Sequence, residues 1–364
     1  MSKPGITSGL KPWTGYAGIG NTLTQKIRLF AFLLISLCVS AHAETLRIVV
    51  AGDGRADYPW IQKRPEDVGG LNRRIVREIC QAVIKEKAKV MLWTGDIVNV
   101  NETAGPRPED KTNYLNSGLQ TWRKIMDPLY QKHITVLPVR GNHEVEWHKK
   151  KGKTPSDIPN ATAVWRQVFG DLPDNGPVGE KKLSFCYATD SVLCIGLDQY
   201  GKRQHSVDQP WLERVLAQNK KRFVFAYGHE PAFVPGGSHT RNESLAAYPH
   251  SRDQMWESLA GAGARVYLCG HDHFYDHMKV QRNATPEMHQ FTAGTAGAPF
   301  YSHKPYPEDE DWRLKQIKHA DFVYGYILIT IEGNAATIAF KGRNPNGEYV
   351  VKDSFHYTAS SPTN

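Results

Sequence analysis

Five times in this 364-residue chain a short apolar run ends in glycine followed by a side chain able to bind a metal ion. The clusters are Ala51-Gly52-Asp53-Gly54-Arg55, Thr94-Gly95-Asp96-Ile97-Val98-Asn99, Arg140-Gly141-Asn142-His143-Glu144, Tyr227-Gly228-His229-Glu230 and Cys269-Gly270-His271-Asp272-His273. A short apolar run bounded by turn residues reads as a buried strand. Ligands of open α/β sheets gather outside the carboxyl ends of the strands. Glycine there lets the backbone turn tightly and aims the next side chain into the crevice. A single Gly-Asp or Gly-His is an ordinary turn. Five of them, each after a strand, call for a fold that gathers several strand ends at one place.

The pattern between the clusters agrees. Leu46–Ala51, Lys89–Trp93, Ile134–Val139, Phe223–Tyr227 and Arg265–Cys269 read as strands. Helices are expected over Pro65–Lys87, Leu119–Lys132 (with Pro128 bending or ending it), Ala161–Phe169, a segment through Trp211, Leu212 and Val215, and Asp253–Leu259. Leu183–Tyr187 and Val192–Leu197 suggest a hairpin. The tail reads as strands over Met288–Thr292, Tyr324–Ile331 and Ala335–Lys341, with Glu332-Gly333-Asn334 as a turn. Strand–helix alternation followed by strands predicts an α/β fold of two packed mixed β-sheets flanked by helices.

Residues 1–43 hold Lys3, Lys11, Lys26 and Arg28 and no acidic residue. An apolar run from Leu29 and the small-residue site Ala41-His42-Ala43 complete the pattern of a secretory signal peptide. The run is short of the ~20 residues that span a bilayer, so no stable membrane anchor is expected after cleavage. Residues 44–364 are then expected to form a single exported domain, in the bacterial periplasm or secreted. Removing the four positive charges takes the formal net charge from +8 to +4. That mild excess does not support a nucleic-acid partner. Export permits disulfides; a hairpin centred on Asp190 would set Cys186 opposite Cys194, bonded or as two free thiols. No Cys/His zinc spacing occurs. Walker A, Gly-x-Ser-x-Gly and Gly-x-Gly-x-x-Gly patterns are absent from their required contexts.

Two Asp, one Asn and three or four His make an oxygen and imidazole donor set, better suited to Zn, Fe or Mn than to Ca or Mg. The series Gly-Asp, Gly-Asp, Gly-Asn-His-Glu, Gly-His and Gly-His-x-His resembles the calcineurin-like metallophosphoesterase superfamily. Gly294-Thr-Ala-Gly-Ala-Pro299 resembles a glycine-rich segment that often follows, and Phe274-Tyr275 after Gly-His-x-His gives a purple-acid-phosphatase-like flavour. The resemblance implies a four-layer α/β/β/α sandwich and a phosphatase or phosphodiesterase using two divalent or transition metal ions. Asp96 would bridge them. Asn142, His229 and His271 would complete one site, and Asp53 and His273 would hold the other. His143 would act as general acid or charge stabiliser, and Glu144 would orient it or support the loop. Metal-activated water would attack the phosphorus of a small phosphorylated substrate in line.

Two departures stand out. The superfamily usually has His two residues after the first Asp, where this chain has Arg55. A guanidinium has no lone pair to offer a metal, so Arg55 reads as a phosphate clamp or as a solvated turn residue. Purple acid phosphatases place Tyr three residues after the bridging Asp; here it is Asn99, a candidate substrate contact. The first metal would then use water, Asn99 or Asp57, or bind weakly, and a purple Fe(III) centre is not expected. The alternative function is a non-catalytic metal- or phosphate-binding member of the same fold. Loop candidates for the pocket are Trp60, Tyr200, His239, Tyr301 and His303, with His277 either reaching the site or lying beyond it.

Overall fold

The computed structural model describes residues 45–56, 70–100, 108–147, 156–234, 236, 241–281, 286–300 and 314–359. The expected signal segment lies outside the described residues, as do Asp57, Trp60, His239, Tyr301 and His303. Residues Thr45–Asn364 form one compact unit. Its elements are β1 (Leu46–Ala51), α1 (Arg73–Lys85), β2 (Val90–Trp93), α2 (Pro108–Gln131), β3 (Thr135–Pro138), β4 (Glu146–Trp147), β5 (Ser156–Asp157), α3 (Ala161–Val168), β6 (Phe185–Ala188) and β7 (Val192–Gly196). They continue with α4 (Gln209–Ala217), β8 (Phe223–Tyr227), α5 (Pro249–Gly261), β9 (Val266–Cys269), β10 (Tyr275–Val280), β11 (Met288–Ala293), β12 (Leu314–Asp321), β13 (Gly325–Glu332), β14 (Ala335–Arg343) and β15 (Tyr349–Thr358).

The fold is the expected α/β one, with two mixed sheets and helices. The first sheet has the order β15-β14-β13-β1-β2-β3 and the second β12-β10-β11-β9-β8-β7-β6. In the first, β1, β2 and β3 run parallel and β13 to β15 antiparallel. In the second, β7, β8, β9 and β11 are parallel to one another. Of the parallel strands, β2, β7, β8 and β9 are apolar at nearly every position because both their faces are covered. In β8, Phe223, Phe225 and Tyr227 join the larger core, which holds the facing strands of the first sheet. Val224 and Ala226 join the second core, with Trp211 of α4 and Trp256 of α5. The sheets are tied by Tyr227, whose hydroxyl donates to the Leu137 carbonyl at 3.0 Å, and by Tyr275 stacked on Phe340 at 3.8 Å. Among the described residues, no helix is long and apolar enough to cross a membrane.

Three expectations need correction. α1 starts at Arg73, not at Pro65, because Gly70 adopts φ +65 and Leu71 pairs with Arg55 in a bridge. Asn72 caps it, accepting from the Ile75 N–H while donating to the Gly297 carbonyl at 2.8 Å. α2 begins at Pro108, earlier than expected, and passes through Pro128 near its end. The hairpin pairs Cys186 with Ile195 and Tyr187 with Cys194. Its turn lies between Asp190 and Ser191, closed by Thr189 on Val192. That one-residue slip puts the two sulfurs on opposite faces, and both cysteines are free thiols.

Candidate metal centre

The carboxyl ends of β1, β2 and β3 in one sheet and of β8 and β9 in the other carry the five clusters. Asp53, Asp96 and His271 take left-handed backbone, at φ +60, +50 and +72. The cost is of order 1–2 kcal/mol each. The tight turn thus falls on the functional residues themselves more than on the glycines before them. Those glycines provide room: a Cβ on Gly141 would lie 2.1 Å from Asp96 Oδ1, and one on Gly270 2.1 Å from Asp53 Oδ2.

Asp96 is the shared residue. Its Oδ1 accepts the His143 N–H at 3.1 Å and lies 3.4 Å from His229 Nε2; its Oδ2 lies 3.3 Å from Arg55 Nε. On the first side, His229 Nε2 is also 3.1 Å from Asn142 Oδ1 and 3.0 Å from His271 Nδ1. The other ring nitrogens fix the tautomers. His229 Nδ1 lies 2.8 Å from the Thr94 carbonyl and His271 Nε2 2.8 Å from the Glu243 carbonyl. A carbonyl only accepts, so those nitrogens carry the protons. Two imidazole lone pairs therefore face each other at 3.0 Å beside two oxygens, and they repel unless a proton or a cation lies between them. This donor set fits a transition-metal ion, with backbone carbonyls orienting the imidazoles behind it.

On the other side, Asp53, Asp96 and His273 bring one donor atom each within 4.8 Å of one another. His273 Nδ1 faces the Pro299 carbonyl at 2.7 Å, which turns its Nε2 lone pair toward Asp53 Oδ1, 3.5 Å away. Asp53 is held from behind by the His271 N–H at 3.0 and 3.1 Å. Burial pushes the Asp53 carboxyl well above its usual range and Asp96 adds to this, while Arg55 opposes it. Arg55 is no solvated turn residue. It is buried, and its Nη2 lies 3.2 Å from His273 Nε2.

Glu144 supports the loops rather than orienting His143. It accepts N–H bonds from Gly141, Asp96, Ile97 and Val98 at 2.7–3.1 Å. Burial and Asp96 push its carboxyl up, and the N–H groups of Gly141, Val98 and Ile97 work against this. His143 Nε2 lies 3.8 Å from Asp96 Oδ2, and His143 keeps 8% exposure where His229 and His273 have none. The glycine-rich segment lies along the first loop, with Ala296 N–H on the Gly52 carbonyl and Ala298 N–H on the Asp53 carbonyl.

The other candidates differ in place. Asn99 is buried beside Gly70, to whose carbonyl its N–H donates at 3.0 Å. Tyr200 is buried, its ring 6.4 Å from that of His229. His277 lies beyond the site, in a chain from Asp353 through His277 to His289 and Glu287. Gln199 escaped the sequence reading although its Oε1 accepts both the His229 and the Glu230 N–H, at 2.7 and 2.6 Å. No local pattern marks a glutamine for that task. The same holds for the carbonyls of Thr94, Glu243 and Pro299.

The fold is similar to that of purple acid phosphatase PPD1 from yellow lupin (Lupinus luteus) seeds, with a TM-score of 0.62 at 15% identity over 87% of this chain. The match covers 54% of the lupin protein, so this chain spans about half of its length. A dimetal phosphatase from Danio rerio has a TM-score of 0.52 at 13% identity, covering 86% of this chain and 99% of that one. GAP50, the anchor in the inner membrane complex of Plasmodium, has 0.51 at 13%, covering 87% and 89%. At such identities the likeness shows the fold alone. No curated protein matches the sequence. The model of the calcineurin-like phosphoesterases matches residues 47–275, which contain all five strand-end clusters, and the chain belongs to that family.

Proposed function

We propose that this protein is a metal-dependent phosphoesterase that hydrolyses a small phosphate ester. The observation that carries the reading is the pair of facing lone pairs on His229 and His271, joined by Asn142 and Asp96 at one crevice. These four residues would hold a Zn, Mn or Fe ion. When bound, such an ion supplies Lewis-acid polarisation of a phosphoryl oxygen and acidifies water. The chain's own residues do the rest. Asp96 brings negative charge to the centre, its orientation set by the His143 N–H. Arg55 places a permanent positive charge beside it, where a phosphoryl group would lie. The ring of His143, at the more exposed side, is placed to give a proton to the departing oxygen, a contribution of about 10²–10⁴-fold when the geometry is right. Glu144 keeps the loops of Asp96 and Asn142 in register.

The test is hydrolysis of aryl phosphate mono- and diesters by the purified protein before and after chelation. Activity is expected to be lost on chelation and restored by Mn, Zn or Fe. Asp96→Asn is expected to abolish it. His143→Ala is expected to lower kcat by orders of magnitude with metal still bound; metal lost together with activity would make His143 structural. A protein that binds no transition metal and turns over neither substrate overturns the reading. A second reading, a non-catalytic metal- or phosphate-binding member, is favoured by Arg55 at a ligand position and by the fold shared with an anchor protein. Phosphate binding without turnover in every metal would select it.

A further inference from the structure

We infer that the guanidinium of Arg55 takes the place of one of the two metal ions, so that the centre binds a single ion, at Asp96, Asn142, His229 and His271. The inference rests on the metal-dependent reading above and concerns how many ions the centre holds.

The two halves of the crevice differ in what they still need. In the Asp53, Asp96 and His273 half, the donor atoms lie close enough for an ion, yet the Arg55 guanidinium already lies against two of the three. Its Nε is 3.3 Å from Asp96 Oδ2 and its Nη2 is 3.2 Å from His273 Nε2. The Pro299 carbonyl holds the His273 proton on Nδ1, so Nε2 is an acceptor and the guanidinium an obligate donor. The guanidinium therefore complements His273 by a hydrogen bond and Asp96 by charge without any metal. The third member, Asp53, has its carboxylate on the His271 N–H. A dication added among these atoms would lie against a charge that no physiological pH removes. In the other half, no guanidinium or ammonium among the described residues pairs with Asn142 or His229. There, the lone pairs of His229 and His271 meet at 3.0 Å with both protons committed to carbonyls.

The local backbone agrees. Arg55 is in an isolated bridge with Leu71 just before α1, and is 4% exposed. The chain on both sides of the guanidinium is therefore anchored, and the charge is built in as a fixed part of the site.

Metal counting tests this without reference to turnover. The purified protein is loaded with Mn(II) or Zn(II), freed of excess, and analysed for metal per chain. Mn(II) loading is also followed by electron paramagnetic resonance. One ion per chain is expected, with the six-line spectrum of an isolated Mn(II). Arg55→His, which removes the guanidinium and supplies an imidazole, is expected to raise the count to two and to give a spin-coupled pair. Two ions on the wild-type protein would overturn the inference while leaving the phosphoesterase reading intact. One ion on both proteins would overturn the assignment to Arg55. No ion on the wild-type protein would overturn both. The wild-type count decides even if the variant fails to fold, which circular dichroism would show.

Discussion

Glu144 shows how much one side chain decides at this centre. Its two oxygens take four backbone N–H groups from two loops that belong to different strands. Glu144→Gln keeps the shape but turns an amide NH2 toward some of those donors. Each buried N–H left without an acceptor costs about 1–3 kcal/mol, so a loss of roughly 2–4 kcal/mol is expected in urea unfolding, together with weaker metal binding. A variant as stable as the wild type would show that the loops hold themselves. The sequence placed Glu144 in the right cluster but left two tasks open for it. The choice between them needed the distance to Asp96, 48 positions away in the chain. Arg55 is similar. Its type excluded it as a metal ligand from the sequence alone, whereas its partners Asp96 and His273 come from other strand ends.

Among the elements, α1 is tied to the tail strands at its carboxyl end. Glu86 accepts from Tyr326 of β13 at 2.7 Å and pairs with Lys341 of β14. Burial works to raise the Glu86 carboxyl, but the Lys341 and Tyr326 contacts outweigh it and hold it below its ordinary value. A depressed folded-state pKa stabilises above the unfolded value and is lost as pH falls through the folded one. Glu86→Gln is therefore expected to cost about 1–2 kcal/mol near neutrality, with the difference vanishing in acid below the ordinary glutamate range. A gap between the two unfolding curves that did not change with pH would contradict this. The element pattern itself was legible where apolar runs were continuous, as in β1, β2, β8 and β9. β10, β12 and β15 were not read. β10 carries Asp276 and His277 among its buried positions, and β15 alternates half-buried and exposed residues. Such strands are stabilised by their neighbours rather than by their own apolar run.

On the scale of the whole molecule, the site exists only where the two sheets meet. Arg140, next to Gly141-Asn142, makes a buried two-pronged ion pair with Asp198, next to Gln199, at 2.7 and 2.8 Å. One end of the pair follows β3 of the first sheet and the other follows β7 of the second. The pair therefore sets the Asn142 loop against the glutamine that holds His229. Removing one partner of a buried pair costs about 3–5 kcal/mol because the other charge is left unpaired. Asp198→Asn is expected to lose stability on that scale and to weaken Mn(II) or Zn(II) binding by an order of magnitude or more. Unchanged metal affinity in a folded variant would separate the two sheets' contributions.

What the sequence by itself determined is the kind of chemistry and its address: oxygen and imidazole donors placed after strands, with an arginine where an imidazole would be expected. Donor type and position after an apolar run are local properties, readable from neighbouring residues. Which donors meet, and whether a position holds an ion or a guanidinium, depended on the tertiary structure. Asp53, Asp96 and His273 are 43 to 220 positions apart in the chain, and distances of about 3 Å between such residues follow from how two sheets pack. The hairpin register and the tautomers set by Thr94, Glu243 and Pro299 were decided in the same way, by backbone groups that carry no mark of side-chain type.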